Sequence, residues 1–146
     1  MRLHTASEVI SLARRLESET ASFYERLRQY GKGEELWHSF AEDNRRNIAL
    51  VEQAYRGAIS DAIESGFAFD LEEDDYAVDL RTGSSNNYSD ALRNAVTSEG
   101  RIALFYSDAA RQAQSLLAEV PRVFKQIAQK RKARIEKLEA LLRDLA

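Results

Sequence analysis

Apolar side chains recur at helical spacing along four stretches of the chain. With an advance of about 100° per residue, Val9, Leu12, Ala13, Leu16, Thr20, Phe23 and Leu27 form one face of the first stretch. Trp37, Phe40, Ala41, Ile48, Val51 and Tyr55 do so in the second. Ala91, Leu92, Ala95, Ile102, Ala103, Phe105 and Ala109 form the face of the third. Phe124, Ile127, Ala128, Ile135, Leu138, Leu142 and Leu145 form that of the fourth. Local punctuation sets the boundaries. Thr5-Ala-Ser-Glu8 reads as a capping box, and Gly31-Lys-Gly33 ends the first helix after about Tyr30. The second helix runs from about Glu34 to Ser65, before Gly66, and the third from about Ser89 to Ala118. The fourth starts at Pro121, a residue suited to a first helical turn, and continues to the last residue.

Several polar residues interrupt these apolar faces. Glu17 lies inside the first, next to Tyr24, and Glu99 lies near the middle of the third. Asn44 is central on the second, with Asn47 at its edge, and Arg131 is central on the fourth, with Arg134 also within the face. Each helix therefore directs a strongly polar residue inward, at similar heights. An internal repeat explains the coincidence. An offset of 82 relates Ser7, Ala13, Glu17, Ala21, Phe23 and Tyr24 to Ser89, Ala95, Glu99, Ala103, Phe105 and Tyr106. An offset of 87 relates Trp37, Phe40, Ala41, Ile48 and Glu52 to Phe124, Ile127, Ala128, Ile135 and Glu139. Two copies of a helix pair, packed antiparallel about a pseudo-twofold axis, bring Glu17 and Glu99 to one level of a shared core.

The segment Phe67–Tyr88 has a different character, with the acidic Glu72-Glu-Asp-Asp75 and the turn-rich Thr82-Gly-Ser-Ser-Asn-Asn87. A connection of this length is unusual in a compact domain and fits a bundle with one long crossover. The acidic cluster reads as solvated surface. Composition narrows the field further. A single Pro, sparse β-branched residues and abundant Ala, Leu, Glu, Arg and Gln point to one all-α domain over residues 1–146. The absence of cysteine removes disulfides, thiol catalysis, thiolate zinc and iron–sulfur chemistry. A net charge of −3, with acids and bases mixed, gives no global field toward nucleic acid or membrane. The N-terminus has no apolar signal region, and no apolar run approaches the roughly 20 residues a membrane span needs. The expectation is a cytoplasmic protein.

Glu17 followed by Phe23-Tyr24, and Glu99 followed by Phe105-Tyr106, repeat one phrase twice. With the Ala-led segments of helices two and four, this resembles the rubrerythrin-like branch of the ferritin-like superfamily across essentially the whole chain. The resemblance implies a ferritin-like antiparallel four-helix bundle with one long crossover between helices two and three, and a homodimer. In that family the first and third helices each give one Glu, and the second and fourth each give Glu-x-x-His, together binding two irons. Here Ala41-Glu-Asp-Asn44-Arg-Arg-Asn47 has Asn at both ligand positions, and Ala128-Gln-Lys-Arg131-Lys-Ala-Arg134 has Arg at both. The match carries over only Glu17 and Glu99; Asn44, Asn47, Arg131 and Arg134 replace the rest, leaving a degenerate di-iron site. Arginine is a permanent cation and cannot coordinate iron. Without cysteine in this sequence, the cysteine-rich second iron domain that rubrerythrins often carry is not expected.

Charge arithmetic indicates what stands in the iron's place. Two ferrous ions balance four carboxylates in the family; here two arginines balance two glutamates. A buried Glu–Arg–Asn network is expected, with no cofactor and no catalytic residue, in a protein with a structural or interaction role. Tyr24 and Tyr106 are expected to flank it. One alternative is a metal-binding oxidoreductase or iron-handling protein with a non-standard carboxylate site at Glu17 and Glu99, helped by acids such as Asp43. Another is a bundle whose buried arginines hold a small anion. His38 and Glu42 form an i, i+4 pair that projects away from the core. Lys130-Arg-Lys-Ala-Arg134, with Lys125 and Lys137, is a basic run whose two arginines turn inward, so no nucleic-acid partner is expected. Gly31-Lys-Gly33 follows no strand and is no phosphate loop.

Overall fold

The first helix opens as its sequence dictates. The Thr5 hydroxyl accepts the Glu8 amide and the Glu8 carboxylate accepts the Thr5 amide, both at 3.1 Å, so two end donors are satisfied reciprocally. From there α1 spans Ala6–Leu27. Its expected last turn tightens into a 3₁₀ turn, Arg28–Tyr30, and the chain reverses through Gly31 and Gly33, at φ +68° and +69°. Gly33 is required twice over: its backbone is left-handed, and a Cβ there would lie 3.1 Å from the Trp37 indole nitrogen. That indole donates to the Lys32 carbonyl at 2.7 Å and so fastens the turn to the next helix.

This computed structural model describes residues 1–59, 69–80, 87–113 and 119–145. Among them are α2, Glu34–Ile59; α3, Tyr88–Gln112; and α4, Glu119–Leu145. Among the described residues the fold is all-α apart from one antiparallel pairing of two short strands, β1 (Arg2–Leu3) and β2 (Leu71–Glu72), with Leu3 opposite Leu71. The sequence pattern gave no sign of this pairing, because two-residue strands are too short to show alternation. The expected extension of α2 to Ser65, that of α3 beyond Ala113 and the turn at residues 82–86 lie outside the described residues. The fourth helix begins at Glu119, two residues before the expected Pro121. Proline remains harmless there, because the first turn has no intrahelical acceptor for its missing amide.

Side-chain contacts fix the helix directions. Arg14 meets Glu52 at 3.6 Å and Arg45 meets Glu25 at 3.4 Å, so α2 runs antiparallel to α1. Tyr24 reaches Glu99 while Tyr106 reaches Glu17, so α3 also opposes α1. Arg131 and Arg134 lie beside Glu99, while Lys125 and Ala128 flank Ser107 and Ala110, so α4 opposes α3. Helices α2 and α3 thus run the same way, and the link between them must return along the helix length. Its described part does so. It starts at Phe69, whose amide donates to the His4 carbonyl at 3.0 Å beside the beginning of α1, passes through β2 and reaches Leu80, whose carbonyl accepts Arg26 at 2.7 Å near the end of α1. On the way, Tyr76 packs edge-on against Phe105, with ring centroids 5.4 Å apart, and donates to Asp108 at 2.7 Å.

The buried apolar side chains form two clusters. One holds Val9, Leu12, Leu16, Val51, Phe105, Tyr106, Phe124 and Ile127. The other holds Phe23, Tyr24, Leu27, Trp37, Phe40, Leu92 and Leu138. Along each helix, the polar interruptions noted in the sequence lie between the two. Three expected positions are corrected. Asn47, placed at the edge of its face, is fully buried, whereas Ile48 is only partly so. The buried residues of α2 are Trp37, Phe40, Ala41, Asn44, Asn47, Val51 and Ala54; apart from the small Ala41, they are spaced alternately three and four apart. That is the 3.5-residue period of a helix that wraps its neighbours, and a 3.6-residue wheel drifts from it by about 20° per heptad. Leu145, expected inward, is 44% exposed. Leu138 packs with Trp37 and Leu92, near the beginnings of α2 and α3, and two turns later no facing helix is left to cover Leu145.

Candidate functional site

Glu17, on α1, and Glu99, on α3, are completely buried, as are Asn44 and Asn47 on α2 and Arg131 on α4; Arg134 is 4% exposed. Arg131 is the bridge. Its Nη2 lies 2.6 Å from Glu17 Oε2, and its Nη1 lies 2.6 and 2.9 Å from the two oxygens of Glu99. Arg134 Nη1 adds a second contact to Glu99 Oε2 at 3.1 Å. Asn47 Nδ2 donates to Glu17 Oε1 at 3.1 Å. Asn44 uses both ends of its amide: Nδ2 donates to the Glu17 backbone carbonyl at 3.2 Å, and Oδ1 accepts Arg134 Nη1 at 2.8 Å. The guanidinium of Arg134 also lies over Phe40, 4.4 Å from the ring centroid, and donates to the Phe40 carbonyl at 3.3 Å.

The tyrosines cross between the repeats. Tyr24 of α1 donates to Glu99 of α3 at 2.6 Å, and Tyr106 of α3 donates to Glu17 of α1 at 2.8 Å. Each ring is held by the equivalent aromatic of the other helix type. Tyr24 stacks on Trp37 with centroids 5.7 Å apart, and Tyr106 tilts on Phe124 at 5.8 Å. The pseudo-twofold extends to the amides and cations, because Asn47 on Glu17 corresponds to Arg134 on Glu99. It breaks at one place. The counterpart of the Arg134–Asn44 bond is a bond between Arg131 and Asn47. Instead Arg131 places its two Nη groups on the glutamates, and Asn47 Oδ1 and Arg131 Nε have no hydrogen-bond partner among the described residues.

Two residues of this centre were not picked out by the sequence pattern. Thr20 read as part of the apolar face, yet its hydroxyl accepts Arg131 Nη2 at 3.4 Å and donates to the Leu16 carbonyl. The Phe40 carbonyl is a backbone group and carries no sequence signal. Conversely, Asp43 does not join the centre; its side chain is 39% exposed and pairs with Arg46. His38 is exposed, and Glu42 pairs with Arg45 at 2.9 Å.

Two negative and two positive side chains are thus sealed together with no net charge. Burial acts to raise the pKa of Glu99, but the charges of Arg131 and Arg134 and the Tyr24 hydrogen bond outweigh it, and the net shift is downward. Burial lowers the affinity of Arg131 for its proton, and the two carboxylates more than restore it. Burial, reinforced by the adjacent Glu99 and Glu17 carboxylates, pushes Tyr24 and Tyr106 well above the ordinary phenol range. Both tyrosines are therefore fixed as neutral donors. A carboxylate whose folded pKa lies below its unfolded value stabilises the fold above the unfolded value, about 4.3. That contribution is lost as pH falls through the folded value. The difference in urea stability between the wild type and Glu99→Gln is expected to be greatest near neutrality and to shrink on acidification below about pH 4.3. A difference that stays constant down to acid unfolding would refute the charged, paired state of Glu99.

The chain matches no family model, no curated protein and no solved structure. Among the described residues, no group of three or more His, Asp or Glu side chains is placed to hold a metal ion. The donors at the centre fit a metal pair poorly on chemical grounds as well. Among the described residues the centre offers two carboxylates and no imidazole, and the carboxylate oxygens already accept from Arg131, Arg134, Tyr24, Tyr106 and Asn47. The same saturation bears on the arginines as anion holders, since both already bond to glutamate or asparagine.

Proposed function

We propose that the chain is a metal-free member of the rubrerythrin-like, ferritin-like group. In this reading the Glu–Arg–Asn centre stands where relatives hold two irons, and the protein serves as a structural or interaction module and not as a redox enzyme. The observation that carries the reading is Arg131, whose single guanidinium contacts both inward glutamates at 2.6 Å. A guanidinium supplies charge and directed hydrogen bonds but no empty orbital and no accessible redox state. It can therefore replace the electrostatic role of a cation between two acids and none of its chemistry. The helix directions, with parallel α2 and α3 joined by a long return, support the ferritin-like topology. The tyrosines, held protonated against carboxylates, are poor candidates for radical or general-base work.

The alternative of a non-standard iron site at Glu17 and Glu99 requires Arg131 to leave a fully buried position and both acids to shed their donors. Metal analysis of protein purified without chelator, combined with its visible spectrum, separates the two. Metal well below one equivalent per chain and no absorption from oxo-bridged iron are expected. Two tightly held metals per chain would overturn the proposal.

A further inference from the structure

The chain has a formal net charge of −3, yet one surface groove is bounded by cations and by no acid. A cavity of about 330 Å³ lies between α3 and α4. Ser107 and Arg111 border it on α3, and Lys125, Gln129 and Lys132 border it on α4. Spacings of four on α3, and of four and three on α4, align these side chains on facing helix surfaces. Ala110 and Ala128, both buried, form the floor. Small residues where two helices meet leave room between the longer side chains on either flank, and here those are mostly cationic.

On the other helices several exposed arginines sit against carboxylates: Arg14 on Glu52, Arg45 on Glu42, Arg46 on Asp43 and Arg93 on Asp90. On α4 no acid occurs between Glu119 and Glu136. Lys125 and Lys132 form no ion pair among the described residues, and Arg111 shares its charge with Asp108 at 3.0 Å. Two uncompensated ammonium groups border one concavity beside a guanidinium already paired with Asp108, and a bound anion offsets the repulsion between the two lysines. The Ser107 hydroxyl and the Gln129 amide add neutral donors beside them. A carboxylate leaves this set with excess positive charge. A phosphate monoester, with roughly −1.5 to −2 charge at neutral pH and three acceptor oxygens, matches it. The volume lies at the lower end of small-molecule sites, about 300–1,000 Å³, and exceeds what a bare ion fills.

We infer that the α3–α4 groove is a binding site for the phosphate group of a small phosphorylated molecule, with Lys125, Lys132 and Arg111 as its charged contacts. The site is independent of the buried centre, since both lysines are exposed on the outer face of α4. Glucose 6-phosphate and inorganic phosphate, titrated at matched ionic strength against ¹⁵N-labelled protein, test it and distinguish an ester from the free ion. Saturable shifts centred on Ser107, Arg111, Lys125 and Gln129 are expected with at least one probe and none with glucose. The Lys125→Gln/Lys132→Gln variant is expected to bind about tenfold more weakly or worse, the value of one charge-assisted hydrogen bond. The Lys130→Gln/Lys137→Gln variant, which removes equal charge elsewhere on α4, is expected to bind as the wild type does. Equal weakening of both variants would reduce the effect to net charge and overturn the inference. So would the absence of a saturable response to either phosphate probe.

Discussion

Replacing Arg131 by alanine is expected to destabilise the fold by about 3–5 kcal/mol, the cost of stranding a buried charge without its partner. The geometry sharpens the expectation. Glu99 retains Arg134 at 3.1 Å, but Glu17 keeps only the neutral donors Asn47 and Tyr106. The penalty therefore falls mostly on Glu17. The wild-type pair need not be a large net stabiliser, since desolvation of both charges opposes their attraction. The damage comes from removing one side alone, so a second change that removes the stranded charge should repair it in part. Glu17→Gln added to Arg131→Ala is expected to be less harmful than the sum of the two separate changes, with a coupling on the order of 1–3 kcal/mol. Urea unfolding followed by circular dichroism, with unchanged m-values, measures both. A loss under about 1 kcal/mol for Arg131→Ala, the range of exposed ion pairs, would place the guanidinium in solvent.

The inward direction of Glu17, Glu99, Asn44 and Arg131 could be read from the chain because an internal repeat placed each on an apolar face, and four coincident exceptions are hard to explain as edge positions. The capping box at Thr5 and the glycine turn at residues 31–33 were equally visible, since they depend only on local chemistry. What the chain did not disclose depends on partners distant in sequence. The crossed tyrosine bonds require both the helix directions and their vertical register. Asn47 needed the 3.5-residue wrap of α2, and the exposure of Leu145 depends on where two other helices begin. Thr20 is ambiguous by nature, as its methyl group suits an apolar face and its hydroxyl suits a polar centre. The β1–β2 pairing joins segments about seventy residues apart through a single buried leucine from each.

If the proposed rubrerythrin-like reading holds, introducing Asn44→Glu, Asn47→His, Arg131→Glu and Arg134→His is expected to convert this protein into one whose folding depends on iron. Without metal, four buried carboxylates would face one another with no cation among them, so the apo variant should be far less stable than the wild type. Two ferrous ions restore neutrality. The present contacts indicate how the ligands would divide. Asn47 lies 3.1 Å from Glu17 and Arg134 lies 3.1 Å from Glu99, so each introduced histidine would stand beside a different glutamate. Arg131, which now spans both acids, occupies the position from which a carboxylate could bridge two metals. Iron that binds only the folded state at a thousandfold excess over its dissociation constant adds about 4 kcal/mol, enough to raise the melting temperature by many degrees. Anaerobic thermal unfolding with and without ferrous iron, together with metal counting, reads this directly. A folded variant that takes up no iron, or an unfolded one that iron leaves unfolded, would overturn the proposed correspondence between these positions and the ligands of a di-iron bundle.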